Sequence, residues 1–130
     1  MNIMNIVVAE KEITHAELTK IAQEFYKTMI KGVVDIEHEI VAFGGEYHID
    51  ANQKLIERGS KQKNIWGFNV YLDRPRDTWI EYTSLINIRP SEGNTDMEVS
   101  DSKIREKMKQ IIDSKIPLTP RAPRYFLWQI

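Results

Sequence analysis

The sequence predicts an α+β fold in which a mixed or mainly antiparallel sheet of about five strands packs against three helices. Apolar residues recur at helical spacing in three segments, and shorter segments rich in β-branched and aromatic residues lie between them. These segments follow the order β-α-β-β-α-β-β-α. The chain has 130 residues, of which 42% are hydrophobic, so a single domain can bury its core without a metal or disulfides.

The first two elements are a strand and a helix. The β-branched run from Ile3 to Val8 predicts the strand. Thr14 and Glu17 have the spacing of a capping box, which predicts a helix from this point to about Met29. Gly32 is the expected stop for this helix.

A pair of strands and a second helix are expected next. The segment 33–45 is apolar on both faces if it turns back at His38, which is typical of strands covered on both sides. One long strand through His38 is the alternative. Asp50 is expected to cap a helix that ends at Gly59.

The clearest β signal is a hairpin formed by 65–72 and 78–88. A turn centred on Pro75 pairs Asn69 with Glu81. One face of this hairpin is strongly apolar and is assigned to the core; it comprises Trp66, Phe68, Val70, Ile80, Tyr82 and Ile86. The opposite face is polar; it comprises Gly67, Asn69, Glu81, Thr83, Asn87 and Arg89.

A third helix and a tail complete the chain. The helix is expected from about Asp101 to Ser114, within a single domain that covers 1–116. Residues 117–130 form a tail that is first proline-rich and then aromatic. We expect this tail to pack on its own domain, or on a partner or second copy, which would make a homodimer through the tail.

Composition excludes several classes of function. The chain has no cysteine, which removes disulfides, zinc fingers and iron–sulfur clusters. The net charge of −1 gives no nucleic-acid signal, and no apolar run approaches the roughly 20 residues of a membrane span. No nucleotide-binding loop or hydrolase motif is present. We therefore expect a soluble cytoplasmic protein without a cofactor.

A first candidate site lies at Glu46, His48 and Asp50. In an extended backbone these side chains point the same way. A carboxylate beside an imidazole suits general acid–base chemistry, and the trio could also hold a divalent metal. Alternatively, Asp50 is only a helix cap and His48 a surface or hydrogen-bonded histidine. No metal site is predicted.

The polar face of the hairpin is the second candidate. Asn69, Asn87 and Glu81 alternate with core residues, so the pattern fixes their direction. Arg89 could bind a carboxylate or phosphate with its planar fork, and Asn94 could complete an anion site. The alternative is that this face is plain solvent surface.

Asp35 is a third candidate because it lies between apolar neighbours. A buried carboxyl must be paired or protonated, and we favour pairing with a lysine, an arginine or turn amides over a catalytic acid. Ser60 and Lys61 form a polar connector after the second helix.

Several short motifs occur together in a fixed order. They are Gly44-Gly45-Glu46-Tyr47-His48, Gly59-Ser60-Lys61-Gln62, Trp66-Gly67-Phe68-Asn69-Val70-Tyr71, Trp79-Ile80-Glu81 and Ile86-Asn87-Ile88-Arg89-Pro90-Ser91-Glu92-Gly93-Asn94. Over roughly 3–114 the chain resembles a family of small prokaryotic proteins described as a domain of unknown function. The resemblance implies no activity and no site residues.

Two hypotheses for the function follow. The preferred one is a binding or regulatory module that acts through its polar sheet face or its aromatic tail, with a small polar ligand. The alternative is a small enzyme for a polar or anionic metabolite, with His48 as acid/base, Glu46 or Glu81 as its partner and Arg89 as anion clamp. The enzyme requires Glu46, His48 and Arg89 to converge on one point.

Overall fold

A computed structural model of the chain describes residues 5–117. The helices are α1 (His15–Phe25), α2 (His48–Glu57) and α3 (Ser102–Lys115). The strands are β1 (Val7–Ala9), β2 (Met29–Asp35), β3 (Ile40–Phe43), β4 (Ile65–Tyr71) and β5 (Ile80–Glu81). This order confirms the predicted α+β fold. Most of the predicted tail, and the start of the first predicted strand, lie outside the described residues.

The strands form one antiparallel sheet in the order β1-β3-β2-β4-β5. The longest pairing joins β2 to β4, from Met29 opposite Tyr71 to Asp35 opposite Ile65. Asn69 pairs with Glu81 between β4 and β5, which confirms the predicted register of the hairpin.

Helices cover the sheet on both faces. Helices α1 and α3 pack on one face, where the largest apolar cluster includes Phe68 and Val70 of β4. Helix α2 packs on the other face through Ala51 and Leu55. The predicted core face of the hairpin is therefore confirmed, except that Ile86 packs in the α2 cluster. None of the helices within residues 5–117 is long and apolar enough to cross a membrane.

The first helix is shorter than predicted. Its capping box is confirmed, because the Thr14 side chain accepts from the amide of Glu17 and the Glu17 side chain accepts from the amide of Thr14. The helix ends at Phe25, however, and β2 begins at Met29. Gly32 is therefore not a helix stop. It lies inside β2, where the ring of Phe68 occupies the space of a side chain.

The turn between β2 and β3 confirms two strands rather than one. Asp35 pairs with Ile40, so the turn is centred one half-residue before His38 and the register is shifted by one residue. The Asp35 carboxylate causes this shift, because it accepts from the amides of Glu37 (2.9 Å) and His38 (3.0 Å) and holds a tight turn.

The second strand of the hairpin is much shorter than predicted. It ends at Glu81, and a 3₁₀ turn follows at Leu85–Asn87. The cause is Ser84, which packs against the backbone of Gly67 and accepts from the amide of Ile86 at 3.2 Å. The side-chain alternation assumed beyond this point therefore does not apply.

The contact between Gly32 and Phe68 gives a test of the core. A methyl group in Gly32→Ala would overlap the fully buried Phe68 ring, so we expect a loss of about 1–3 kcal/mol in the free energy of unfolding, measured by urea denaturation. In Phe68→Leu, which makes room, the same Gly32→Ala change should cost much less. Equal costs in both backgrounds would contradict the contact.

Candidate functional site

A cavity of about 390 Å³ lies on the α2 side of the sheet. Its lining residues come from β2, β4, the start of α2, the segment after β5 and one later loop; they are Lys31, Tyr47, His48, Ile49, Asn69, Thr83, Ser84, Leu85, Ile86 and Met97. This volume falls in the range of ligand pockets, about 300–1,000 Å³.

The start of α2 brings one residue of the first candidate trio to the cavity. The helix begins at His48, and the carboxylate of Asp50 accepts from the Tyr47 amide at 2.9 Å. Glu46, His48 and Asp50 therefore do not follow one extended backbone, and the expectation of a common direction is wrong. His48 lines the cavity, Glu46 is exposed, and Asp50 lines a separate groove beside Ile6.

His48 is a buried, neutral base at the wall of the cavity. It is 8% exposed, and its Nε2 donates to the Phe68 carbonyl at 2.8 Å, since a carbonyl can only accept. The pKa of His48 is lowered to about 4: burial is the main cause and Lys31 acts in the same direction, while the Phe68 hydrogen bond, the side chain of Asn69 and the charge of Glu81 act in the opposite direction. At neutral pH its Nδ1 is therefore unprotonated.

A row of polar side chains crosses three strands at the base of the cavity. Lys31 of β2 is opposite Asn69 of β4, which is opposite Glu81 of β5. Asn69 Nδ2 donates to Glu81 Oε1 at 2.8 Å, and the Tyr71 hydroxyl donates to the same oxygen at 3.0 Å. The Oδ1 atom of Asn69 is buried and has no hydrogen-bond partner within residues 5–117.

The rim of the cavity is apolar and exposed. Tyr47, Ile49, Leu85 and Met97 are each between 43% and 72% exposed. Exposed apolar side chains grouped around a polar base are typical of a site that receives a ligand with an apolar body.

Arg89 lies outside the cavity and forms hydrogen bonds with backbone carbonyls. Its guanidinium stacks on the Trp66 ring at 3.9 Å. It donates to four carbonyls, those of Gln62, Lys63, Ile65 and Ile86. Since the fork is occupied by these carbonyls, it is not placed to clamp an anion in the cavity.

Asn87 and Asn94 also form hydrogen bonds with backbone groups and do not line the cavity. Asn87 accepts from the Gly67 amide at 2.8 Å and donates to the Gly67 carbonyl at 3.0 Å, so its amide pairs with β4 as a further strand would. Asn94 donates to three carbonyls and accepts from Ser100. Of the residues expected in the sites, the cavity contains His48 and Asn69, with Glu81 bonded behind Asn69.

Asp35 is fully buried and paired, as favoured from the sequence. It accepts from Ser60 Oγ at 2.6 Å and contacts His38 Nδ1 at 2.9 Å. Burial tends to raise the pKa of Asp35, but the hydrogen bonds from Ser60, His38 and Glu37 hold it below its ordinary value. This cluster joins the β2–β3 turn to the end of α2.

Lys31 and the apolar rim were not found from the sequence. Lys31 was passed over because it follows the predicted helix and precedes Gly32, the expected stop. The β-branched residues Ile30, Val33 and Val34 on either side of Lys31 were the available signal for a strand. The rim residue Met97 comes from a loop, and no periodic pattern indicates where such a residue lies.

The fold and cavity define a class of protein: an α+β domain with a cavity between a helix start and a polar row on the sheet. In the described part of the chain, no three His, Asp or Glu side chains form a group that could hold a metal ion. Residues 6–115 match the family described as "Protein of unknown function (DUF5674)", and the chain belongs to this family. No curated protein and no solved structure matches the chain.

Replacement of Arg89 should be strongly destabilising. Arg89→Ala leaves several carbonyls without their donor and exposes the face of Trp66, so we expect a loss of about 3 kcal/mol in urea denaturation. Arg105→Ala is the control, because Arg105 is a more exposed arginine with one ion pair and should lose about 0.5 kcal/mol. A similar small loss at Arg89 would argue against its structural role.

The neutral state of His48 should appear in the pH dependence of stability. Its pKa is about 4 in the folded protein and about 6.5 when unfolded, so the unfolded chain binds the proton first as pH falls. The free energy of unfolding should fall by up to about 3 kcal/mol between pH 6.5 and pH 4 from this residue.

His48→Gln isolates this effect, because the glutamine amide can still donate to the Phe68 carbonyl. Denaturation of both proteins at pH 7, 5.5 and 4.5 should show a shallower loss in the variant. His38 acts in the opposite direction: its hydrogen bond with Asp35 raises its pKa, so its stabilisation is lost as pH rises. Parallel losses in wild type and His48→Gln would contradict a neutral His48.

Proposed function

We propose that the protein is a binding module that holds a small ligand in the cavity between α2 and β4. His48 and Asn69 contact the polar part of the ligand, Glu81 positions Asn69, and the rim contacts the apolar part. The enzymatic alternative is less favoured, because Glu46 and Arg89 do not line the cavity with His48. The cytoplasmic location stays a prediction.

Asn69 carries this proposal. It is 6% exposed, and its Oδ1 has no partner in the described part of the chain although its Nδ2 is satisfied. A buried oxygen without a donor costs about 1–3 kcal/mol. A ligand with an N–H or O–H group would supply the missing donor, and the adjacent cavity gives that ligand room.

Binding of a fluorescent apolar amine tests the proposal. N-phenyl-1-naphthylamine has an N–H donor and aromatic rings, and its emission rises in an apolar site. We expect saturable binding with one probe per protein. Thr83→Phe should weaken this binding at least about tenfold, because Thr83 lines the cavity and the larger ring would fill it.

Thr78→Phe is the matched control. Thr78 is exposed in the β4–β5 turn and does not line the cavity, so this variant should bind as wild type does. If Thr83→Phe does not fold, Leu85→Asp replaces it. Leu85 is an exposed rim residue, so this variant should also weaken binding. No binding by wild type, or equal binding by wild type and the folded cavity variants, would overturn the proposal.

A further inference from the structure

Lys31 gives the cavity a positive charge. Of the ten lining residues, all of them within the described chain, Lys31 alone is charged at neutral pH, since burial keeps His48 neutral. Within residues 5–117 no carboxylate forms a salt bridge with Lys31. Its ammonium lies 5.3 Å from the centre of the Tyr26 ring, a contact that stabilises a cation without neutralising it.

Three carboxylates act on groups beside the cavity without lining it: Glu81 acts on His48, and Glu46 and Asp50 act on Tyr26. Glu81 accepts from Asn69 and Tyr71 and does not line the cavity. Asp50 caps the Tyr47 amide and lines a separate groove. Glu46 is exposed. The lining of the cavity therefore contains a cation and no anion.

The start of α2 adds to this positive character. The amides of His48 and Ile49 have no acceptor among the described residues, as is usual in the first turn of a helix. The helix dipole places partial positive charge at the same end, and the carboxylate of Asp50 in the first turn offsets part of it. This helix start adjoins Lys31 and the buried Asn69 in one cavity, so three independent features lie together.

We propose that the ligand is a small amphipathic anion. Its acid group, a carboxylate or a comparable oxyanion, binds Lys31 and the start of α2. Its aliphatic or aromatic body packs against the apolar rim formed by Tyr47, Ile49, Leu85 and Met97. This inference rests on the proposed function, because it concerns the same cavity.

Two probes with the same rings separate the anion from the apolar body. The compound 1-anilinonaphthalene-8-sulfonate is N-phenyl-1-naphthylamine with one added sulfonate. The wild-type protein should bind the sulfonate about tenfold more tightly, the factor expected when one contact becomes charge-assisted. Lys31→Met should lose this preference and keep its affinity for the neutral probe.

Lys54→Met is the matched control, because Lys54 is an exposed lysine on α2 outside the cavity and its replacement changes the net charge equally. It should retain the preference for the sulfonate, as should Lys31→Arg. If Lys31→Met does not fold, Lys31→Gln replaces it, with folding checked by circular dichroism.

The outcomes distinguish the two proposals. Equal affinity of wild type for both probes, or a preference that survives in Lys31→Met, would overturn the anionic ligand while leaving the cavity as a binding site. If both Lys31→Met and Lys54→Met lose the preference for the sulfonate, the preference comes from the overall charge of the protein. That result would also overturn the inference. Failure of both probes to bind wild type would overturn the proposed function itself.

Discussion

The pairing of β2 with β4 is the constraint on which the rest of the structure depends. These two strands are separated in sequence by β3 and α2, yet they form the longest ladder of the sheet. Their side chains alternate between two covered faces, so a shift of one residue would exchange both cores. The same register sets Lys31 beside Asn69 and thereby forms the base of the cavity.

A second set of interactions stabilises the irregular segment after β5. Backbone groups there lack a strand partner, and buried side chains take its place. Asn87 bonds to Gly67, Asn94 bonds to the loop that follows it, and Arg89 bonds to carbonyls before β4. Buried backbone groups require such partners. These polar residues therefore have a structural role. Asn69 differs from them, because its Oδ1 has no partner within the described chain.

The sequence predicts what local interactions decide. The capping box at Thr14 and the pairing of Asn69 with Glu81 depend on neighbouring residues, and both are confirmed. The start of β2, which holds Lys31, was not predicted, because the first helix was expected to run to about Met29 and to stop at Gly32, so that the strand was placed from Val33 onward. Of the site residues, Arg89 was expected on the sheet face because the strand was assumed to continue past Glu81.

The polar row differs from the rest of its sheet face. Elsewhere on this face, Val33 and Ile65 pack against α2 through apolar contacts, and the buried carboxylate of Asp35 is paired by Ser60 and by turn amides. The row instead leaves a buried oxygen without a donor, which costs free energy, beside a half-buried cation that has no salt bridge in the described chain. A ligand that supplies a donor would offset the cost at Asn69, and a negative charge on that ligand would pair with Lys31, which is the physical reason to propose a function for this cavity.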